Sequence, residues 1–237
     1  MKNAFETLLS TFDEAFAEFN RSRAMRLMQS ADFRPSHYAS ALREIYFYTR
    51  DNPQLQVSLT LAFRGEQRKA VRRIVGHALD EVGHDLMALD DLKALGGEVD
   101  GIPEERPLPS TLPLVAYPIY LMSQGNPIGY LGQIFFLEFM PTRSGAAYIE
   151  TLQRAGIPQS AMSFLAEHAT VDEHHNRLMQ HHVRDLVKTP EDLEAACEAI
   201  RVAAYNYAQM LAGAFDAAER YAHLDAAIAE AREVSHV

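Results

Sequence analysis

The chain has 237 residues, 48% of them hydrophobic and 23% charged, which indicates a globular protein with a sizeable core rather than a disordered segment or a coiled coil. Its net charge of −10 argues against nucleic acid or an anionic membrane as its partner. The single cysteine, Cys197, excludes an intrachain disulfide and fits a reducing cytoplasm. Acidic residues interrupt the apolar N-terminus, which argues against a signal peptide, and no apolar run approaches the ~20 residues of a membrane span.

Apolar residues repeat at helical spacing between punctuating prolines and glycines, which predicts an all-α bundle of seven to eight helices forming one domain, residues 1–237. Strand-like alternation, internal repeats and linkers are absent from the sequence. The prolines and charges of 98–112 predict a surface loop. In chain order the predicted helices cover about 4–28, 36–50, 53–95 with an interruption near Gly65, 112–123, 127–140, 144–155, 158–188, and 190 into the 230s.

The helix from Pro158 carries the sharpest chemical signal. His168, Asp172 and His175 stand at i, i+4 and i+7 and therefore share one helical face. Two imidazoles and a carboxylate on one face suit iron, manganese or zinc. The alternative is a solvated polar helix that happens to be rich in histidine.

A second helix offers Glu81 and His84, a Glu-x-x-His pair of the kind that ligates metal from one helix. Gly83 between them is costly inside a helix, by about 1 kcal/mol relative to alanine, so close packing or room beside a metal would explain it. His77 lies on the same face one turn earlier, where it is either a neighbour of the ligands, a rival of His84 for the metal, or an ordinary partly buried histidine.

Two further helices each carry a glutamate in largely uncharged surroundings. Glu138 follows the apolar run Ile134–Leu137, where a charge is costly unless it is paired or bound to metal. Its alternative role is that of a helix-end acid before Pro141, although a carboxylate there would oppose the helix dipole. For Glu44, a salt bridge with a neighbouring arginine explains the residue as well as metal ligation does.

Together these residues give four carboxylates and three imidazoles on four helices, enough for two divalent metals. A set of this kind on the inner faces of a bundle is the di-iron carboxylate pattern. The seven candidate metal ligands are Glu44, Glu81, His84, Glu138, His168, Asp172 and His175.

The set resembles the haem-oxygenase-like di-iron oxidase and oxygenase family, through the three glutamates, the motif His168-x3-Asp172-x2-His175, and the segment Gly129–Gly132 ahead of Glu138. The resemblance covers about residues 36–185. It implies one metal held by Glu44, His84 and His175, a second held by Glu138, His168 and Asp172, and Glu81 bridging them. The helix that carries Glu81 varies in the family, so His77 is the rival of His84.

The resemblance also implies an activity: two iron ions cycling between Fe2+ and Fe3+, with O2 as co-substrate, oxidise or cleave a small organic acid such as an amino acid or a fatty acid. A small-molecule substrate is therefore the expected partner, and an external electron donor and a homodimer are compatible with this function. Arg143 is a candidate for holding a substrate carboxylate, with a solvated arginine as the alternative.

Three other functions compete with this one. A ferritin-like di-iron protein would use Asp172-x-x-His175 as its last ligand pair and would leave His168 without a role. A thiaminase-type relative would need a nucleophilic cysteine, whereas Cys197 in Ala195–Ala199 resembles a small packing residue. A non-enzymatic iron-binding or interaction protein that keeps the fold is the third.

Overall fold

The computed structural model describes the backbone of residues 3–170 and 172–235, and the side chains of these residues except 170–176 and 234–235. Over this part of the chain the structure is helical and contains no strand, which confirms the predicted all-α class. The α-helices are α1 Ala4–Asn20, α2 Arg23–Met28, α3 Pro35–Arg50, α4 Asn52–Leu59, α5 Val71–Asp80, α6 His84–Ala94, α7 Leu112–Ser123, α8 Tyr130–Arg154, α9 Ser163–Thr170, α10 Asp172–Leu186, α11 Pro190–Asp216 and α12 His223–Ser235.

Several helix boundaries differ from the sequence-based expectation. The first predicted helix ends at Asn20, and the hydroxyl of Ser22 accepts a hydrogen bond from the backbone N–H of Met25 to start α2. The last predicted helix is divided into α11, a short 3-10 turn and α12. The break expected at Pro141 does not occur, since α8 continues through this residue to Arg154.

The segment 53–95 is interrupted twice rather than once. Two 3-10 turns occupy Thr60–Ala62 and Gly65–Ala70, and a second break separates α5 from α6. Gly83 lies in that break with φ of 101°, a left-handed conformation that L residues rarely adopt. The prediction that Glu81 and His84 share one helix was therefore wrong, because they lie on either side of this turn.

Helix α11 lies at the centre of the bundle and packs against α1, α3 and α8, while α6 packs on α3 and α9 packs on α8. The contact between α8 and α11 depends on Gly132, because a Cβ atom there would lie 2.0 Å from the carbonyl oxygen of Ala196. None of the described helices combines the length and apolar character needed to cross a membrane.

Glu44 has a structural role on α3. Its side chain is fully buried and forms an ion pair with Arg43, as the salt-bridge alternative predicted. Its carboxylate also accepts a hydrogen bond from the backbone N–H of Leu108, at 2.9 Å, and another from the hydroxyl of Thr111. Glu44 therefore holds the loop before α7 against α3.

The same arginine extends this network to the surface. Arg43 contacts Glu105 at 2.6 Å, and Arg220 contacts the two oxygens of that carboxylate at 2.7 and 2.8 Å. Hydrogen bonds from Arg220 and Arg43 lower the pKa of Glu105 to about 2. The loop is thus attached both to α3 and to the turn that follows α11.

We expect Glu44→Ala to lower the free energy of unfolding by about 3 kcal/mol, because it removes one of the two carboxylates that pair with the buried Arg43 and also removes the anchor of the loop. Denaturant unfolding measures this change. Glu66→Ala is the control, since Glu66 pairs with Lys69 on the exposed surface, where solvent screens the pair and leaves it little effect on stability. Equal losses in the two variants would contradict the anchoring role.

Candidate metal centre

The structure brings two groups of potential metal ligands together, and Glu81 belongs to both. Ligand atoms of Glu81, His84 and His168 lie within 4.8 Å of one another, and so do those of His77, Glu81 and Glu138. These residues come from α5, α6, α8, α9 and the turn between α5 and α6. Two ligand groups that share one carboxylate have the arrangement of a paired metal centre.

The two carboxylate oxygens of Glu81 face different histidines. Its Oε2 lies 3.3 Å from Nδ1 of His84, and its Oε1 lies 3.8 Å from Nε2 of His77. The amide of Asn52 donates to Oε2 at 3.3 Å, and the hydroxyl of Tyr130 donates to the amide oxygen of Asn52 at 2.9 Å. This chain of hydrogen bonds orients Glu81, as the neighbours of metal ligands commonly do.

His168 presents one nitrogen to the site. Its Nδ1 lies 2.6 Å from the carbonyl oxygen of Phe164, and since a carbonyl only accepts, this nitrogen carries the proton. Its Nε2 is therefore left with a lone pair for a metal. Burial lowers the pKa of His168, whereas the hydrogen bond to Glu81 raises that of His84. The two rings meet edge to face, with centroids 4.7 Å apart.

Glu138 lies in the interior of α8, so the helix-end explanation for this residue was wrong. Its carboxylate lies 3.0 Å from Nε2 of His77, and the side chain is only 10% exposed. The ring of His77 is fully buried. His77 thus contacts both Glu81 and Glu138. The sequence alone indicated His77 as an ordinary buried histidine or as a ligand in place of His84, and it did not reveal that His77 and His84 would each belong to a ligand group.

The burial of Glu81 favours a bound cation. Its side chain is 7% exposed, and its ion pairs within the described residues are with His77 and His84, which are charged only when protonated. A buried carboxylate is costly unless a cation or several donors compensate it. Imidazole nitrogens beside carboxylate oxygens suit iron, manganese or zinc, so the residues present fit the predicted metal pair.

Four of the seven predicted ligands meet here: Glu81, His84, Glu138 and His168. Glu44 does not join them, because the contacts to Arg43 and to the loop before α7 occupy its carboxylate. The side chains of Asp172 and His175 lie outside the described residues, and their role remains a prediction.

The model of a family described as iron-containing redox enzymes, of the haem-oxygenase-like type, matches residues 39–208. The chain belongs to the iron-containing redox enzyme family. A search among curated proteins gave no match.

Solved structures with the same architecture include a domain of unknown function with a haem-oxygenase-like fold from Shewanella denitrificans. It is 22% identical, with a TM-score of 0.78, and the match covers 91% of this chain and 92% of that one. A TenA homologue from Pseudomonas syringae is 13% identical (TM-score 0.71; 89% and 92% covered). A CADD-like protein of unknown function from Nostoc punctiforme is 15% identical (0.67; 90% and 98%). These similarities confirm the predicted haem-oxygenase-like fold.

An apolar cavity opens beside the ligands of this family member. Glu81, Glu138 and His168 line one part of it, and no lysine or arginine occurs among its described lining residues. The volume of the cavity is about 100 Å³. Arg143 instead pairs with Asp13 at 3.0 Å, so the solvated-arginine alternative holds. The apolar part of the lining includes Phe19, Met25, Ile45, Leu137, Leu152 and Leu211.

Cys197 is buried in α11, where it accepts a hydrogen bond from the hydroxyl of Thr11 at 3.4 Å. It is not among the residues that line the cavity. The packing role predicted for it agrees with this position. A thiol-dependent reaction of the thiaminase type would have no cysteine to use in the cavity.

His182 is a buried histidine that the motif analysis missed. Its ring lies on α10, stacks on that of His77 with centroids 5.6 Å apart, and is fully buried. Neither ring nitrogen has a hydrogen-bond partner among the described residues. The seven-residue spacing from His168 through His175 to His182 is the signal that could have found it.

We expect His182→Leu to make the stability of the metal-free protein less sensitive to acid. Burial lowers the pKa of His182 from 6.5 to about 3, so the unfolded chain binds more protons between these values. The free energy of unfolding therefore falls as pH drops through this window, by up to about 1.4 kcal/mol per pH unit from this residue. The variant loses that contribution.

Urea unfolding of the metal-free protein at a series of pH values from 7 to 4 measures the slope. His181→Leu is the control, because it removes the neighbouring exposed ring from the same helix. Parallel curves for the parent protein and His182→Leu would show that His182 is not held neutral by burial.

Proposed function

We propose that this protein is a non-haem di-iron oxidase or oxygenase that uses O2 to oxidise or cleave a small organic acid. The observation that carries the proposal is the position of Glu81, whose two oxygens face the two ligand groups. A single buried carboxylate between two sets of nitrogen and oxygen donors is what a bridged metal pair requires. Membership of the iron-containing redox enzyme family supports iron as the metal.

The geometry supports a different distribution of ligands from the one that the family resemblance implied. One iron would take His84 and His168, and the other would take His77 and Glu138, with Glu81 shared. His77 would thus act in addition to His84 rather than in its place, and Glu44 would take no part. Asp172 and His175 would complete the coordination from α10.

When bound, two ferrous ions would supply an O2-binding site and two electrons, and further turnovers would draw electrons from an external donor or from the substrate. The chain's own groups would orient the site and keep it dry. Asn52 and Tyr130 fix the carboxylate of Glu81, and the carbonyl of Phe164 fixes the ring of His168. The apolar lining would exclude water from the reacting atoms.

The cavity favours an acid with an apolar chain over a charged amino acid. Its lining combines aliphatic and aromatic side chains with the acidic residues Glu81 and Glu138. Burying an ammonium or guanidinium group among the apolar walls would be costly, whereas a hydrocarbon chain gains about 0.8 kcal/mol per buried CH2 group. Since the lining has no basic side chain to bind a carboxylate, the acid group would point towards the metals.

We expect two iron ions per chain after anaerobic ferrous loading, and near-complete loss of both in Glu81→Gln. The shared carboxylate explains why one substitution would affect both ions. His77→Ala should weaken mainly the binding of the ion held with Glu138, and His84→Ala mainly the binding of the ion held with His168. Metal analysis after desalting measures the stoichiometry.

Asp80→Asn is the matched control, because Asp80 precedes Glu81 and is exposed. It should keep both ions. No binding of iron or zinc by the parent protein would contradict the metal centre, and uptake of many irons per chain would favour an iron store. Tight binding of two ions without oxygen reactivity would favour the non-enzymatic alternative.

We expect monocarboxylic acids with apolar chains to accelerate the reaction of the diferrous protein with O2 by at least about tenfold. A bound acid would do so by shifting the protein towards its O2-reactive conformation, and a tenfold change corresponds to about 1.4 kcal/mol. Stopped-flow absorbance with a series of straight-chain acids, phenyl-substituted acids, lysine and arginine measures the effect. Acceleration by lysine or arginine and not by the apolar acids would reverse the substrate preference proposed from the cavity.

A further inference from the structure

A surface pocket adjoins the apolar cavity that contains the candidate ligands. This pocket, which we call the outer pocket, has a volume of about 240 Å³. Its lining consists of residues between Met28 and Phe33, where the chain passes from α2 to α3, and of residues at the end of α8. Met28 and Phe33 also line the cavity. The two spaces therefore adjoin at these two side chains.

Of these two side chains, Met28 is the one that is free to move. The ring of Phe33 packs against the rings of His37 and Phe215, each with centroids 5.6 Å apart, and these contacts fix its position. Met28 is the last residue of α2, and its unbranched side chain is flexible. A change of rotamer at Met28 would connect the outer pocket with the cavity and leave the backbone in place.

The outer pocket attracts anions. Arg154 is the only charged residue among the described residues that line it. This arginine is exposed, donates a hydrogen bond to the hydroxyl of Thr151 at 3.0 Å, and pairs with no carboxylate in the part of the chain that the structure describes. The protein as a whole has a net charge of −10 and therefore repels an anion. A guanidinium beside the pocket offsets this repulsion locally, and its planar donors match a carboxylate.

A different surface pocket, between α1 and α11, shares Phe19 with the cavity but is less suited to admit an anion. The ring of Phe19 contacts three other aromatic rings, so a movement of this side chain would break several contacts. The lining of this pocket also contains Glu18 beside Arg201, so its charges cancel. The outer pocket has the movable side chain and the uncompensated positive charge.

We propose that the outer pocket is the entrance through which a carboxylic acid reaches the cavity, with Arg154 attracting the carboxylate and Met28 moving aside to admit it. The identity of the entering molecule as an acid rests on the proposed function, whereas the passage rests on the two pockets alone. An acid that enters carboxylate first ends with this group towards the metals and its apolar chain towards Met28. Arg154 thus acts on the rate of entry rather than on the bound state.

Labelling of a thiol inside the cavity tests the entrance without any metal. Leu211→Cys places the thiol on the cavity wall, and the parent protein gives the background rate of its one buried cysteine. We expect Met28→Ala to raise the rate of labelling by methanethiosulfonate reagents at least about tenfold, because it removes the side chain that closes the passage. Met25→Ala is the matched control: it shortens the same type of side chain on the same helix, in the lining of the cavity but not of the outer pocket, and should leave the rate nearly unchanged.

Two surface substitutions test where the entrance lies without altering the core. Ala155→Trp places a large side chain in the outer pocket and should slow labelling at least about tenfold by blocking it. Gln209→Trp fills the pocket beside Phe19 in the same way and should have no effect.

The role of Arg154 is tested with an anionic reagent, whose sulfonate stands in for the carboxylate, and a neutral one. Arg154→Gln should slow the anionic reagent at least about threefold and leave the neutral one unchanged, whereas Arg154→Lys, which keeps the charge, should retain the parent rate for both. Higher salt should reduce the difference between Arg154→Gln and the parent, since it screens the attraction.

Several results would overturn the proposal. These are equal acceleration by Met28→Ala and Met25→Ala, absence of labelling even with Met28→Ala, slowing by Gln209→Trp instead of Ala155→Trp, and equal effects of Arg154→Gln on the two reagents. Because labelling uses the full chain without metal, these outcomes are independent of the iron stoichiometry and oxygen reactivity that test the proposed function. A chain that binds no iron would therefore leave the entrance standing, and a failed entrance would leave the metal centre standing.

Discussion

The interior of this bundle contains one carboxylate, that of Glu81, whose ion-pair partners among the described residues are both histidines, and this constraint explains much of the surrounding structure. Glu81 is buried with two histidines as its ion-pair partners in the described structure, and His77 also contacts Glu138. In an apolar environment such an arrangement is expensive unless positive charge is supplied. A bound divalent metal pair would supply it, so the electrostatic demand that destabilises the metal-free fold would favour metal binding.

Glu44 shows how the chain treats a buried carboxylate that has a structural role. It is even more buried than Glu81, yet it has Arg43 beside it and donors from the backbone N–H of Leu108 and the hydroxyl of Thr111. The contrast between the two glutamates is physical and does not depend on family motifs. One is satisfied by a permanent cation and fixed donors, and the other faces groups that can bind a metal.

The sequence predicted the helical class and most of the central residues because both depend on local spacing. Helical periodicity identified the elements, and the position of Glu138 directly after an apolar run identified an unusual burial. The spacing did not reveal the left-handed turn at Gly83, since a glycine three residues after Asp80 reads equally well as a helix interior. Nor did the spacing distinguish Glu44 from the other candidate ligands. The loop whose Leu108 and Thr111 donate hydrogen bonds to its carboxylate lies more than sixty residues away in the chain. His182 was missed for the same reason: its neighbour His77 is on another helix.

The break at Gly83 determines which side chains near it are buried and which are exposed. If α5 and α6 formed one straight helix, Glu81 and His84 would stand on one face with ordinary i, i+3 spacing, and the exposed apolar residues would continue around the same cylinder. The turn instead lets Glu81 face His77 in one direction and His84 in the other, while Val82 between them faces outward. A residue with a side chain at position 83 would strain the conformation that makes this possible, because its φ of 101° suits glycine. The glycine that looked like a defect in a helix is therefore the point where the chain changes direction to place one carboxylate between two ligand groups.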